Sequence, residues 1–240
     1  MGTYINDQRL KKPSVDEKIW RYMDFTKFIS ILHHKSLHFS RVDKFKDPYE
    51  ASIGSYLVEI EKRDISKSGL RKLNELHPHY QKVFVNCWHI NPFESAALWK
   101  VYMKSDEGIA IQTTVRRLVT VLEASKNDLR FDLASIEYDP SKLIGTTTTP
   151  NGDHHTVFKM NNALFIKRPC FEYENELRVF VRFDKRESTG YDWPGLDINF
   201  LIEYIYVNPE APQWIVSLIK DLAKSYKIKG KVLKSNILRS

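Results

Sequence analysis

Cysteine is nearly missing from this sequence. Only Cys87 and Cys170 occur among 240 residues, which excludes a disulfide framework, and their apolar settings (VNCWH, RPCFE) suit reduced, buried thiols. Long apolar runs are missing too: none approaches the roughly 20 residues that a membrane helix needs, so no membrane partner is expected. The N-terminal stretch MGTYINDQRLKKPSVDEK is polar throughout and unlike a secretory signal. A cytoplasmic protein is the expectation. Also absent are a Gly-rich phosphate loop, an HExxH pair, a CxxC pair and a Gly-x-Ser-x-Gly elbow. The eight histidines are scattered, and neither His33-His34 nor His154-His155 has acidic or Cys partners at ligand spacing, so no metal is expected.

What is present describes a globular chain. With 42% hydrophobic and 12% aromatic residues it can bury a sizeable core, and its length suits one domain. The expected fold class is α+β, a single domain with mixed central β-sheets flanked by helices. Residues 1–18 read as a flexible lead-in and 19–240 as the domain. A balance of 37 Lys and Arg against 30 Asp and Glu leaves +7. That charge permits a nucleic-acid or nucleotide partner without requiring one. The basic C-terminal stretch, with Lys224, Lys227, Lys229, Lys231, Lys234 and Arg239 and no acid after Asp221, reads as a solvated face or a phosphate-tracking patch.

Patterning predicts strands over 19–23, 37–40, 83–88, 108–113, 131–138, 200–207 and 231–233. Helices are predicted over 25–34, with Asp24 as N-cap, and over 95–103, 115–125, 156–166 and 211–225. The last has Pro212 in its first turn and Trp214, Ile215, Leu218 and Ile219 as its core face. Residues 57–76 suit surface helices, and IGTTTTPNGDHH a long polar loop.

The stretch KRPCFEYENELRVFV, residues 167–181, carries the strongest functional signal. A strand sends alternate side chains to one face, which would place Glu172, Glu174 and Glu176 together, with Arg178 next. Pairing of Arg178 with Glu176 or Glu174 on an exposed strand would contribute only about 0–1 kcal/mol, a weak reason to concentrate three carboxylates. Trp99 and Tyr102, three apart on a helix, share a face and suit either core packing or a ligand platform. His89 is a further candidate.

In order, the segments WRYMDFTKFISILHHKSLHFSRVDKFKDPYEAS, FVNCWHINPFESAALWKVYMKSDEGIAIQT, FEYENELRVFV and LIEYIYVNPEA resemble the bacterial family called domain of unknown function 2971. The resemblance spans residues 19–238. Lys46, Trp88-His89, Phe171 and Leu177 depart from its usual pattern. That family name implies no activity. A second resemblance, to ADP-ribosyltransferases, rests on the order of Arg21 on an early strand, the Trp99/Tyr102 segment, and Glu174-x-Glu176 at a late strand.

That resemblance implies an ADP-ribosyltransferase-like fold and a cytoplasmic enzyme consuming NAD+, such as a toxin or anti-phage effector with an antitoxin or defence-system partner. The acceptor would be nucleic acid, a protein side chain or water. Arg21 would grip phosphates or ribose as a bidentate donor. Tyr22, Trp99 or Tyr102 would stack on nicotinamide. Glu176 would hold the ribose of an oxocarbenium-like centre, and Glu174 would orient or deprotonate the acceptor. Two other readings stay open: a non-catalytic nucleotide- or nucleic-acid-binding module, and a metal-dependent nuclease built on Asp43, Asp47, Glu50, Glu174 and Glu176.

Overall fold

A computed structural model describes residues 1–45, 81–103, 105–148, 154–158, 164–183 and 188–237. Among them, ten strands make one mixed sheet: β1 (Thr3–Tyr4), β2 (Lys18–Met23), β3 (Leu37–Arg41), β4 (Val83–Ile90), β5 (Ile109–Thr114), β6 (Arg130–Ser135), β9 (Glu176–Arg182), β10 (Gly190–Trp193), β11 (Tyr204–Val207) and β12 (Lys231–Lys234). The remaining two, β7 (Ile144–Thr148) and β8 (His154–Phe158), pair only with each other. The helices are α1 (Phe25–His34), α2 (Ala96–Tyr102), α3 (Val115–Ala124), α4 (Ile198–Leu201) and α5 (Gln213–Ser225). The α+β class and the mixed sheet flanked by helices are as expected.

The sheet runs β1-β6-β9-β4-β2-β5-β11-β12, with β3 branching from β4 and carrying β10. Most neighbours are antiparallel; β1 with β6 and β11 with β12 are parallel. Local signals explain the helix starts. Asp24 accepts a hydrogen bond from Lys27 N at 2.9 Å, Ser95 caps α2 and Thr114 caps α3, each satisfying an amide that the helix leaves over. Helix α1 ends at Lys35 in the left-handed region (φ 49°). The main core joins Phe28 and Leu32 of α1, Leu118 and Leu122 of α3 and Ile215 and Ile219 of α5 to one face of the sheet. A smaller cluster of Trp20, Tyr22, Leu98, Trp99 and Ala110 lies under α2.

Several expectations need correction. Residues 3–4, inside the predicted lead-in, add β1 to the sheet, and Lys12 pairs with Asp132. Within the polar run 144–155 and the start of the predicted helix 156–166, residues 144–148 and 154–158 are strands β7 and β8, because Thr and β-branched residues favour extended backbone. The strand expected over 131–138 ends at Ser135, and residues 198–201 are helical. Trp214 and Leu218 are exposed, while Val216 and Ala223 fill the core face of α5 with Ile215 and Ile219. Cys170 is exposed, not buried. The helices expected over 57–76 lie outside the described residues.

Candidate functional site

The site begins with a split in the sheet. Strand β2 pairs with β4 only at Ile19/Ile90 and Trp20/His89, while β3 pairs with β4 only at Ser40/Val85 and Arg41/Phe84. Between these two zippers the β4 edge over Asn86–Trp88 meets no strand among the described residues. Side chains substitute for the ladder there: Asn86 Nδ2 donates to His38 O at 2.8 Å, and Trp88 Nε1 donates to Asn86 Oδ1 at 2.6 Å. A cleft of about 660 Å3 opens over the split, a size suited to a small-molecule ligand.

Of the predicted site residues, Arg21, Tyr22, Tyr102, Glu174 and Glu176 all line this cleft. Arg21 and Glu176, 155 positions apart in the chain, therefore share it. Trp99 does not line it. Its ring is 3% exposed, packs edge-on against Tyr22 at 5.0 Å, and its Nε1 donates to Glu94 Oε2 at 3.0 Å. Tyr102 is 47% exposed and faces the carboxylates; burial of its hydroxyl, with Glu174 adding, pushes its pKa up. The Tyr22 hydroxyl accepts from Ser95 N at 2.7 Å and is likewise raised by burial. Packing under α2 separates two aromatics that helical spacing had put on one face.

Arg21 is the least satisfied cation in the cleft. Its Nη2 reaches His38 O at 3.4 Å and its guanidinium sits 5.8 Å over the Trp88 ring. Its Nη1 is buried with no partner among the described residues. Burial pulls its pKa down, yet a guanidinium stays charged. A buried, charged donor without an acceptor is costly and is the group that an anionic ligand would satisfy.

The glutamates are arranged differently from the expectation. Residues Pro169–Glu174 form a 3-10 turn, and Asn175 follows with φ 34° and ψ 61°. Only Glu176 enters a strand, so the three carboxylates do not share a strand face, and Glu172 is exposed. The left-handed Asn175 is held on both sides: its Nδ2 donates to Ile90 O at 2.6 Å, and Ile90 N donates to Asn175 O at 2.9 Å. This turn nevertheless brings Glu174 and Glu176 together around one cation. Lys167 Nζ lies 2.6 Å from Glu174 Oε2 and 2.7 Å from Glu176 Oε2.

Glu176 is 4% exposed. Arg178 Nε and Nη2 donate to its two oxygens at 2.7 and 3.2 Å. Burial alone would raise its pKa; Arg178, Lys167 and a hydrogen bond from Cys87 outweigh that and hold it at about 2. Conversely, burial and Glu176 push the Cys87 thiol up. His89 Nδ1 donates to Glu174 O at 2.5 Å and its Nε2 accepts from Asn91 Nδ2 at 3.1 Å. Burial lowers its pKa, so it is a neutral imidazole positioning the Glu174 backbone. Lys167 and Cys87 were missed from sequence, because nothing local marks them as neighbours of Glu176.

No group of three or more His, Cys, Asp or Glu side chains is placed to hold a metal among the described residues. Asp43 is paired with Arg41 at 2.6 Å, and Asp47 and Glu50 lie outside those residues. No described helix is long and apolar enough to cross a membrane.

No family model matches the sequence, and neither does any curated protein; the likeness to domain of unknown function 2971 rests on the quoted motifs alone. Solved structures similar to this chain include Thermus sp. 2.9 DarT in complex with NAD+, at TM-score 0.43 and 8% identity over 93% of this chain and 98% of that one. The same protein in complex with ADP-ribosylated ssDNA aligns at TM-score 0.43 and 10% identity, over 94% and 97%. Its complex with carba-NAD+ aligns at 0.42 and 9%, over 93% and 97%. Scores and identities this low carry no activity across to this chain.

Proposed function

We propose that the cleft binds NAD+ and breaks its nicotinamide–ribose bond, passing ADP-ribose to an acceptor. The observation that carries this is the meeting, in one cleft, of a pair of carboxylates with a buried guanidinium whose Nη1 has no partner among the described residues. Arg21 Nη1 takes a pyrophosphate oxygen, converting an unpaired buried donor into a charge-assisted hydrogen bond. Tyr102, the exposed aromatic, stacks on nicotinamide.

As the C1′–N bond breaks, its electron pair returns to the pyridinium nitrogen and positive charge develops on the ribose. Glu176 stays ionised at any ordinary pH, so it accepts the 2′-hydroxyl's hydrogen bond and favours that charge. The acceptor's oxygen or nitrogen, or water, then attacks C1′, and its proton passes to Glu174. General-base help of this kind is worth roughly 10²–10⁴-fold. A protein of this activity would suit a toxin or defence effector, with an antitoxin as partner.

The test is nicotinamide release from NAD+ by purified protein, alone and with DNA, RNA or lysate, beside Glu174→Gln and Glu176→Gln, each checked for fold by circular dichroism. Release lost in folded Glu174→Gln that still binds NAD+ supports the assignment. Failure of the wild type to bind NAD+ at all would sink it.

A second reading follows from one specific feature. Both oxygens of Glu176 are already taken by Arg178 and Lys167, which suits a site that holds a nucleotide without turnover. NAD+ binding with no release under any condition would favour that module.

A further inference from the structure

We infer that the sheet face beyond the cleft is a second binding site, for a single-stranded nucleic acid. Strand pairing places Glu176, His89, Trp20, Gln112, Tyr204 and Lys231 at successive paired positions across β9, β4, β2, β5, β11 and β12. Residues directly paired in this way stand side by side on one face of a sheet. The cleft and the outer face are thus two ends of one row, with Tyr204 about 19 Å from the Glu176 strand at four strand spacings.

The outer end is a groove of about 470 Å3 lined by Lys18, Trp20, Phe93, Gln112, Tyr204 and Tyr206. Trp20 lines both the groove and the cleft. The rings are graded outward: Trp20 packs on Tyr206 at 5.0 Å, Tyr206 on Tyr204 at 6.1 Å, and Phe93 is largely exposed. Gln112 is 4% exposed and lines the groove. An amide that lines the groove beside aromatic faces suits the edge of an unpaired base stacked on a ring.

Charge selects the same occupant. Lys18 lines the groove, and Lys231, paired with Tyr204 on β12, is exposed beside it. Glu94 also lines the groove and keeps its negative charge while accepting from Trp99 Nε1, so phosphates would lie away from it. Phosphates would lie along the lysines while bases lie on the rings, an arrangement that a duplex cannot adopt because its bases are already stacked. On the proposed NAD+ chemistry, a strand in this groove reaches the cleft past Trp20 and would be the acceptor; that clause rests on the preceding reading, and the binding does not.

The test is fluorescence anisotropy with short labelled oligonucleotides, as single-stranded DNA, single-stranded RNA and duplex, without NAD+. Single strands bind more tightly than duplex, and Tyr204→Ala and Tyr206→Ala each weaken binding on the order of 5- to 100-fold, while Tyr204→Phe binds like wild type. Lys231→Ala weakens binding less and flattens its salt dependence. Melting curves and NAD+ affinity of the variants control for fold and for the cleft. No single-strand binding, equal binding of duplex, or tyrosine variants that bind like wild type would each overturn the site. With labelled NAD+ added, oligonucleotide that binds but is never modified removes the acceptor role; modification lost in both Tyr204→Ala and Glu174→Gln supports it.

Discussion

Arg178 and Glu176, two residues apart on β9, face the same side of the strand and form a two-point ion pair, 2.7 Å at Nε and 3.2 Å at Nη2, with both side chains buried. Arg178 Nη1 also donates to Leu164 O at 2.8 Å. The pair therefore ties β9 to the segment before the 3-10 turn and fixes the carboxylate beside the cleft. Removing one partner of such a pair leaves an uncompensated buried charge. Arg178→Met is expected to destabilise the fold by about 3–5 kcal/mol, read from urea unfolding. Lys167→Met, which leaves Arg178 on Glu176, should cost less, about 1–3 kcal/mol.

Acid should act through the same carboxyl. Its folded pKa, about 2, lies below the ordinary 4.5, so the unfolded chain binds the proton more readily. The stabilisation is present above pH about 4.5 and is lost as pH falls toward 2. Wild-type stability is expected to drop through that window, and Glu176→Gln to show a shallower slope there. Equal slopes in the two proteins would remove Glu176 from the account.

Arg21 separates binding from stability. Because its Nη1 has no acceptor among the described residues, Arg21→Met is expected to leave the urea midpoint unchanged or higher while abolishing NAD+ affinity by calorimetry. Arg21→Lys keeps the charge but not the forked donors, and a loss of at least tenfold in affinity is expected. A large fall in stability without a change in affinity would contradict the anion-binding role.

The two aromatics of α2 should behave oppositely. Trp99→Ala empties a packed position and is expected to cost about 3–5 kcal/mol. Tyr102→Ala, at an exposed ring, should change stability by less than about 1 kcal/mol and yet weaken NAD+ binding. Thermal melts beside titrations of each variant decide this.

Asn175 sets the turn between the two glutamates. A residue with a Cβ in the left-handed region costs about 1–2 kcal/mol, less for Asn, and Gly escapes the cost. Asn175→Ala is therefore expected to lose stability by that order, through backbone strain and the hydrogen bond to Ile90 O. Asn175→Gly should recover the backbone part alone. If turnover exists, both variants should lower it more than their melts suggest, since Glu174 and Glu176 share Lys167 only through this turn.

Local chemistry alone determined much of this protein. Periodicity marked β2, β4, β5 and α1 because their alternation and their 3.6-residue stripe are properties of neighbouring positions, and Asp24 capped α1 as short-range hydrogen bonding requires. Glu174 and Glu176 were legible as a pair, for a reason that did not hold: strand alternation was expected, and a 3-10 turn closed by Asn175 does the work. What tertiary structure decided was everything that depends on distant segments meeting. Lys167 became the shared counter-ion because the bridge of Ile166 to Glu137 and the 3-10 turn deliver it to the start of β9. The cleft exists because β2 and β3 both pair with β4 and leave a gap between them, a vacancy written in no single stretch of sequence. Trp99 and Tyr102, alike at the level of spacing, were parted by which side of α2 found a core to bury against.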